Sequence, residues 1–363
     1  MITSMHIENF KCFKNFDIEL GPFNVLIGPN DSGKTALFQA IRLAKAVGGQ
    51  NIIDPVPISL FKDEDEILEE LGPIKSWYWR GEKNGKISIA IKASAMDAPG
   101  DRRACAVVVY NNKISGDPTA LSPRVGQREP NTPGGPNSKD WQTYAIGRVD
   151  YVQLDARALR RPTRSTEKFA HNGEGLPALI DDMRGDIDKF KSFQEEFCER
   201  FPYYKRIDRK FTVEGKTDLV GIEFVTRYDN RIPAVGVSDG VMLSLAFLAL
   251  KYTSKIASHH VFLIEEPENG VHYGSLKKIV DSLRNLSKEK KIQVILTTHS
   301  PYLLDLVEPE EVRVFTKDDE GAVYARKMSD YPEVERLKKH FMTGEIWTEF
   351  SEEQIVLGKN GEK

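Results

Sequence analysis

The sequence predicts an α/β fold in which a largely parallel sheet carries helices on its faces. Two stretches predict it. In the first, residues 23–27 read as a short buried strand. Gly28-Pro-Asn-Asp-Ser-Gly-Lys34-Thr35 then fits the phosphate-binding loop pattern G-x-x-x-x-G-K-[ST] at every fixed position, and residues 36–43 are apolar at helical spacing. In the second, apolar strands at 261–264 and 292–298 alternate with an apolar helix at 242–250 and an amphipathic helix at 276–286. Strands that alternate with helices pair in parallel, because each crossover helix must cover a face of the sheet.

The elements follow in order. Residues 5–13, 16–20 and 23–27 read as three short strands leading into the loop, and the first helix stops near Gly48-Gly49. Residues 49–150 read as a β-rich insertion. Within it, 63–71 is a short acidic helix or turn, 86–92 and 104–110 are β-prone, and 111–140 is a long Pro, Gly, Ser and Asn-rich loop. A strand returns at 148–154. Residues 151–210 read as a helical lobe whose apolar stripe, Ile180, Met183, Ile187, Phe190 and Phe197, faces the core. Residues 219–227 alternate as a strand, with a turn at Asp229-Asn230. The nucleotide lobe is expected to be discontinuous, 1–48 plus 211–315, ending near an edge strand at 311–316, with a charged extension at 316–363 that carries a helix at 332–341. No sustained heptad run is present, which excludes long coiled-coil arms.

Composition bounds the function. With 363 residues, 40% hydrophobic and 29% charged, the chain reads as globular; no apolar run approaches a membrane span, and the first residues lack the form of an export signal. Cys12, Cys105 and Cys198 are too scattered for a metal site or a disulfide framework, so a cytoplasmic setting is expected. A net charge of −3 confines any nucleic-acid binding to a local patch. Two basic clusters are candidates for double-stranded DNA: Arg157, Arg160, Arg161, Arg164 and Lys168, and Lys205, Arg206, Arg209 and Lys210 beside Tyr203 and Tyr204.

The chemistry concentrates at strand ends. The loop from Asn30 through Ser32, Gly33, Lys34, Thr35 and Ala36 can wrap an anion with backbone N–H groups, Lys34 adds positive charge at the β/γ-phosphates, and the Thr35 hydroxyl can ligand Mg2+. The strand at 261–264 ends in Glu265 and Glu266: one carboxylate to hold Mg2+, the other to polarise an attacking water. His299 follows the next strand, within reach of the γ-phosphate or that water. Ser238, before an apolar helix, reads on its own as an ordinary N-cap.

This order of motifs resembles the ATP-binding-cassette ATPases of the SMC, RecF and OLD (overcoming lysogenization defect) group: a P-loop NTPase head with a mixed sheet, a helical second lobe and here a β-rich insertion. Ile7-Glu-Asn-Phe-Lys11-Cys-Phe13, Ile264-Glu-Glu-Pro-Glu268 and Thr297-Thr-His-Ser-Pro301 carry the resemblance. It implies ATP and Mg2+ as cofactors and roles for Lys34, Thr35, Glu265, Glu266 and His299 as above. It further implies that Ser238 and Gly240 contact the γ-phosphate of ATP on a second copy, giving a head-to-tail homodimer or a higher oligomer. Residues 269–272 would cross that interface, Lys11 would lie near the nucleotide, and Gln153 would link Mg2+ to the second lobe. Two positions depart from the group's wording: Glu265 replaces the Asp usual in transporters and SMC proteins, and Gly270-Val-His-Tyr replaces a Leu-His-Pro pattern.

The residues after His299 carry no acidic TOPRIM motif. The expectation is therefore an ATPase acting with a separate effector, such as a TOPRIM or HNH nuclease, in prokaryotic anti-phage defence or DNA repair. The alternative is an ATP-gated scaffold that holds a partner, with hydrolysis incidental. A transporter subunit is disfavoured by the insertion between the loop and the carboxylates.

Overall fold

The structure is a computed structural model that describes residues 1–49, 70–71, 74–81, 87–94, 103–110, 124–125, 149–214, 217–253 and 260–358. The expected loop at 111–140, apart from 124–125, and most of the acidic segment at 63–71 lie outside the described residues.

The chain opens with β1 (Ile2–Phe10) and β2 (Phe13–Glu19), an antiparallel pair in which Ile7 faces Phe16, followed by β3 (Phe23–Ile27), buried along its length. The phosphate loop leads into α1 (Lys34–Gly49). Next come β4 (Ile87–Ser94), β5 (Arg103–Tyr110) and β6 (Arg124–Val125), then β7 (Val149–Val152). Three helices follow: α2 (Ala156–Leu159), α3 (Leu176–Met183) and α4 (Ile187–Arg200). A hairpin of β8 (Tyr204–Glu214) and β9 (Thr217–Thr226) is extended by β10 (Arg231–Pro233). The second half of the nucleotide fold is α5 (Asp239–Tyr252), β11 (Val261–Glu265), α6 (Tyr273–Glu289), β12 (Gln293–Thr298) and α7 (Pro301–Leu304). The chain closes with β13 (Val312–Lys317), β14 (Val323–Lys327), α8 (Pro332–Leu337), α9 (Thr343–Glu349) and α10 (Glu352–Leu357).

The main sheet has the order β14-β13-β3-β12-β11-β7, parallel throughout except for β14 at one edge. Its two faces feed separate cores, and period-2 alternation sorts the side chains between them. Val261, Leu263, Ile295 and Leu26 join α1 and the β1–β2 hairpin, whereas Phe262, Ile264, Val294 and Leu296 join α3, α4, α5 and α6. Each such side chain is worth ~1.5–3 kcal/mol when removed from water. Helix α5 is buried from Met242 through Leu250, as its unbroken apolar run requires.

The structure redraws the expected division of the chain. β1 and β2 share one five-stranded antiparallel sheet with β4, β5 and β6, in the order β2-β1-β4-β5-β6, so a boundary at 48/49 cuts through a sheet. Ile7 pairs with Ile89, and the inserted strands complete the N-terminal hairpin. β7 belongs to the main sheet, and β14, in the expected extension, pairs with β13 in it. The segment 204–210 is strand rather than helix, and its hairpin crosses the 210/211 boundary. The apolar stripe is interrupted between α3 and α4. Ile180, Met183 and Phe197 are buried and Phe190 packs against the core, but Ile187, on the first turn of α4, is 79% exposed. None of the described helices is long and apolar enough to cross a membrane.

Candidate nucleotide site

The site forms where β3, β12 and β11 end beside one another. Gly28 and Gly33 are required by the turn between β3 and α1. Gly28 has φ +154° and a Cβ there would stand 2.3 Å from the Phe315 carbonyl oxygen; Gly33 has φ +96° and packs against Cys12 and Val323. The turn delivers Lys34 to the first position of α1, where its ammonium donates to the carbonyls of Gly28 and Pro29, both at 2.8 Å, and to Ser32 Oγ at 3.3 Å. These acceptors hold the ammonium within the loop, a positive charge at the start of α1 that phosphate oxygens can take over as acceptors.

A cavity of about 800 Å³ opens over this loop. It is lined by Asn30, Ser32, Gly33, Lys34, Thr35 and Ala36, together with Lys11, Glu266, Thr297 and His299. Backbone strain gathers here: Lys11, Asp31, Arg80 and Glu266 all have positive φ, at 51°, 64°, 50° and 42°. Lys11 Nζ donates to Gln39 Oε1 at 2.6 Å.

The paired carboxylates differ in surroundings. Glu265 ends β11, with the hydroxyls of Tyr151 and Thr35 beside it and Gln153 Nε2 donating to its Oε2 at 3.2 Å. Burial holds its carboxyl above the usual range, and its Oε1 is a buried oxygen without a hydrogen-bond partner. An orphaned carboxylate oxygen beside a threonine hydroxyl fits a hard cation such as Mg2+. Among the described residues no group of three or more His, Cys, Asp or Glu could hold a metal ion.

Glu266 turns away from the sheet. Its N–H donates to the Thr297 carbonyl at 3.1 Å, Asn269 Nδ2 donates to its Oε2 at 2.6 Å, and His299 Nε2 stands 3.5 Å from its Oε1. Burial, followed by the charge of Lys34, lowers the His299 pKa against the opposing pull of Glu266, so the imidazole is neutral at pH 7. Glu268, one turn on, accepts from Thr298 Oγ1 at 2.5 Å and from the His299 N–H at 3.1 Å. It fixes the backbone that carries the histidine.

Ser238 and Gly240 are elsewhere. Ser238 occupies the N-cap of α5 with its carbonyl accepting from the Met242 N–H at 3.1 Å, yet its hydroxyl makes no capping bond and the residue is exposed. Neither residue lines the cavity. The N-terminus of α5 adjoins the 269–272 loop instead: a Cβ on Gly270 would lie 3.7 Å from Asp239 Oδ2, and one on Gly240 3.4 Å from Ser275 Oγ. Arg160 clamps this corner, with Nη2 donating to the Val237 carbonyl and to Asp239 Oδ1, both at 2.6 Å, and Nε to the Ala234 carbonyl at 3.1 Å.

Much of the charge expected to meet DNA is spent within the protein. Arg160 is the clamp just described. Arg161 faces Glu174 at 3.8 Å, Lys205 pairs with Asp229 at 2.7 Å, Arg206 with Asp208 at 3.1 Å and Arg209 with Asp181 at 3.2 Å. Trp79, Arg80, Glu320 and Gly321 also line the cavity, and the sequence pattern did not single them out. Arg80 donates to the Glu320 carbonyl, closing the inserted segment onto the β13–β14 turn.

Burial pushes the Lys34 pKa down to about 8, against the raising effect of Glu266 and Glu265. The protonated form attracts phosphate, so affinity of the free protein for ATP should fall as pH rises through about 8, by up to roughly tenfold per unit above it. Calorimetric titration from pH 7 to 9.5 checks this; a flat affinity would contradict it.

Comparison with known proteins supports an ATPase domain of this fold. A family model described as "AAA domain, putative AbiEii toxin, Type IV TA system" matches residues 110–305, and one described as "AAA ATPase domain" matches residues 1–92. The chain is 40% identical to the OLD nuclease of Thermus scotoductus across 95% of its own length and 68% of the relative's. It is 23% identical to endonuclease GajA of Bacillus cereus over 83% of this chain and 56% of that protein, and 20% identical to the Old nuclease of Escherichia phage P2 over 93% and 62%. The chain thus spans between about half and two thirds of these relatives. In fold it is similar to an SMC head bound to the C-terminal winged-helix domain of ScpA (TM-score 0.57, 15% identity, 90% of this chain and 96% of that one). It is also similar to a Pyrococcus furiosus SMC head with an extended coiled coil bound to the C-terminal domain of ScpA (0.53, 14%, 93% and 98%).

Proposed function

The chain belongs to the OLD-like group of AAA and ABC-type ATPase domains, and from that premise we propose that it is a Mg2+-dependent ATPase whose two ATP sites are each completed by a second copy. The observation that carries this reading is the separation of Ser238 and Gly240 from the cavity of their own copy. A helix N-terminus whose exposed Ser238 makes no capping bond suits a phosphate, but it does not line the cavity over this chain's own phosphate loop. A head-to-tail pair would bring it to the partner's loop.

In this reading Lys34 and the loop N–H groups bind the β- and γ-phosphates and neutralise charge as it develops on the leaving group. Glu265, Thr35 and Gln153 would hold Mg2+, which when bound supplies charge neutralisation across the phosphates. Glu266 orients the attacking water and takes its proton, and Asn269 holds the carboxylate in place. Neutral His299 has a ring N–H to give to the γ-phosphate, and its backbone is fixed through Glu268.

Binding of ATP would close the dimer and hydrolysis would open it, with a nuclease effector as the gated activity in defence or repair. The relatives' names support a nuclease context.

The Arg160 clamp gives a specific test. Arg160→Ala removes the Arg160 donors from the Val237 carbonyl and the Asp239 carboxylate and loosens the α5 N-terminus. Hydrolysis should fall about tenfold or more while ATP affinity of the isolated chain stays within roughly twofold. Steady-state phosphate release alongside calorimetric binding reads both; equal losses in the two would refute the composite site.

A further inference from the structure

We propose that Tyr151 is a positioning residue for the Mg2+ carboxylate Glu265 and that it ties this carboxylate to the segment around Glu70. The inference rests on the ATPase reading above and extends it. β7 pairs in parallel with β11, with Val152 opposite Ile264, so Tyr151 and Gln153 run alongside the end of the carboxylate strand. The Tyr151 hydroxyl donates to Gln153 Oε1 at 3.3 Å, and Gln153 Nε2 donates to Glu265 Oε2 at 3.2 Å. The amide therefore relays the hydroxyl's orientation to one carboxylate oxygen. The other, Oε1, remains the buried oxygen without a partner.

The ring is held on several sides. The Arg42 guanidinium lies 4.2 Å over it, His171 stacks at 6.0 Å and Phe38 meets it edge-on at 6.4 Å. Arg42 is itself fixed by Glu70 at 2.5 Å. Glu70 also accepts from Gln39 at 2.8 Å, and Gln39 accepts from Lys11 at 2.6 Å. One continuous string thus joins Lys11 in the cavity wall to Glu265 through Gln39, Glu70, Arg42, Tyr151 and Gln153. A cation-oriented aromatic with a hydroxyl at its far end behaves as a rigid strut.

A core tyrosine with no such role would affect stability alone. The test uses Glu266→Gln as the parent, so that binding is read without turnover, and a fluorescent ATP analogue as probe. Mg2+ is titrated at fixed analogue, and analogue affinity is measured separately in EDTA. Adding Tyr151→Phe should raise the Mg2+ midpoint about tenfold, the usual order when a partner of a metal ligand is lost, with EDTA affinity within roughly twofold. Glu70→Gln, which leaves Tyr151 intact, should shift the midpoint in the same direction by a smaller factor. Unchanged Mg2+ midpoints in both would overturn the proposal. A parent that binds no analogue under any condition would overturn the ATPase reading, and this inference with it.

Discussion

Glu266→Gln is expected to lose ATP hydrolysis by about 10²–10⁴-fold, the range a positioned general base contributes, while still binding Mg-ATP. The amide has the volume of the carboxylate and keeps a carbonyl oxygen for Asn269 Nδ2, which now stands 2.6 Å from Glu266 Oε2. What it cannot do is accept a proton from water. The backbone at this position, with φ 42° and its N–H on Thr297, is set by the strand ends and should not move. The expected product is a trapped, ATP-loaded dimer, visible as doubled mass by sedimentation at concentrations where the wild type is transiently paired. Glu268 is the rival base. It is committed to Thr298 and to the His299 N–H, and burial holds its carboxyl above the usual range. Phosphate release that survives Glu266→Gln and vanishes in Glu268→Gln would reassign the role.

Ser238→Arg should be nearly as damaging by a different route. The side chain is exposed at the N-terminus of α5 and makes no capping bond, so the substitution costs the isolated chain little. In the closed pair the same position would meet a γ-phosphate and the partner's loop, where a long side chain cannot be seated. Hydrolysis should fall to a few per cent or less while the chain still binds ATP through Lys34, and the ATP-dependent rise in mass should disappear. Calorimetry and sedimentation on one sample separate these outcomes.

The parts of the site readable from sequence are those encoded over short range. A phosphate loop needs its glycines, lysine and threonine within eight residues, and the carboxylates follow a strand whose apolar run announces it. The geometry brings Lys34, Glu266 and His299 to one cavity because parallel strands β3, β12 and β11 end at the same edge. Gln153, with only a poor motif, reaches Glu265 because β7 is the neighbour of β11, a pairing the local pattern does not specify.

What was not legible depends on long-range meetings. Trp79 and Arg80 reach the cavity from the inserted segment, and Glu320 and Gly321 from the tight β13–β14 turn. Charge composition misled in a similar way. Arg160 reads as part of a basic patch, but the donors that matter are spent on Val237, Ala234 and Asp239, and only the fold reveals that this loop needs a clamp. The helical stripe failed at Ile187 because α4 starts anew after Asp186, its N-cap, so the face that buries Phe193 and Phe197 turns Ile187 to solvent.

The central claim is that each site is built from two copies, and mixing two inactive variants tests it most directly. Lys34→Ala should not bind ATP, and Ser238→Arg should bind it without hydrolysis. In a symmetric pair, a mixed dimer carries one site with both defects and one with neither. Combining equal amounts should therefore restore phosphate release above that of either variant alone, because one site in each mixed pair is whole. Restoration that depends on both variants is the predicted result. Mixtures that stay as inactive as either variant alone, at concentrations where wild-type pairs form with ATP, would contradict the account.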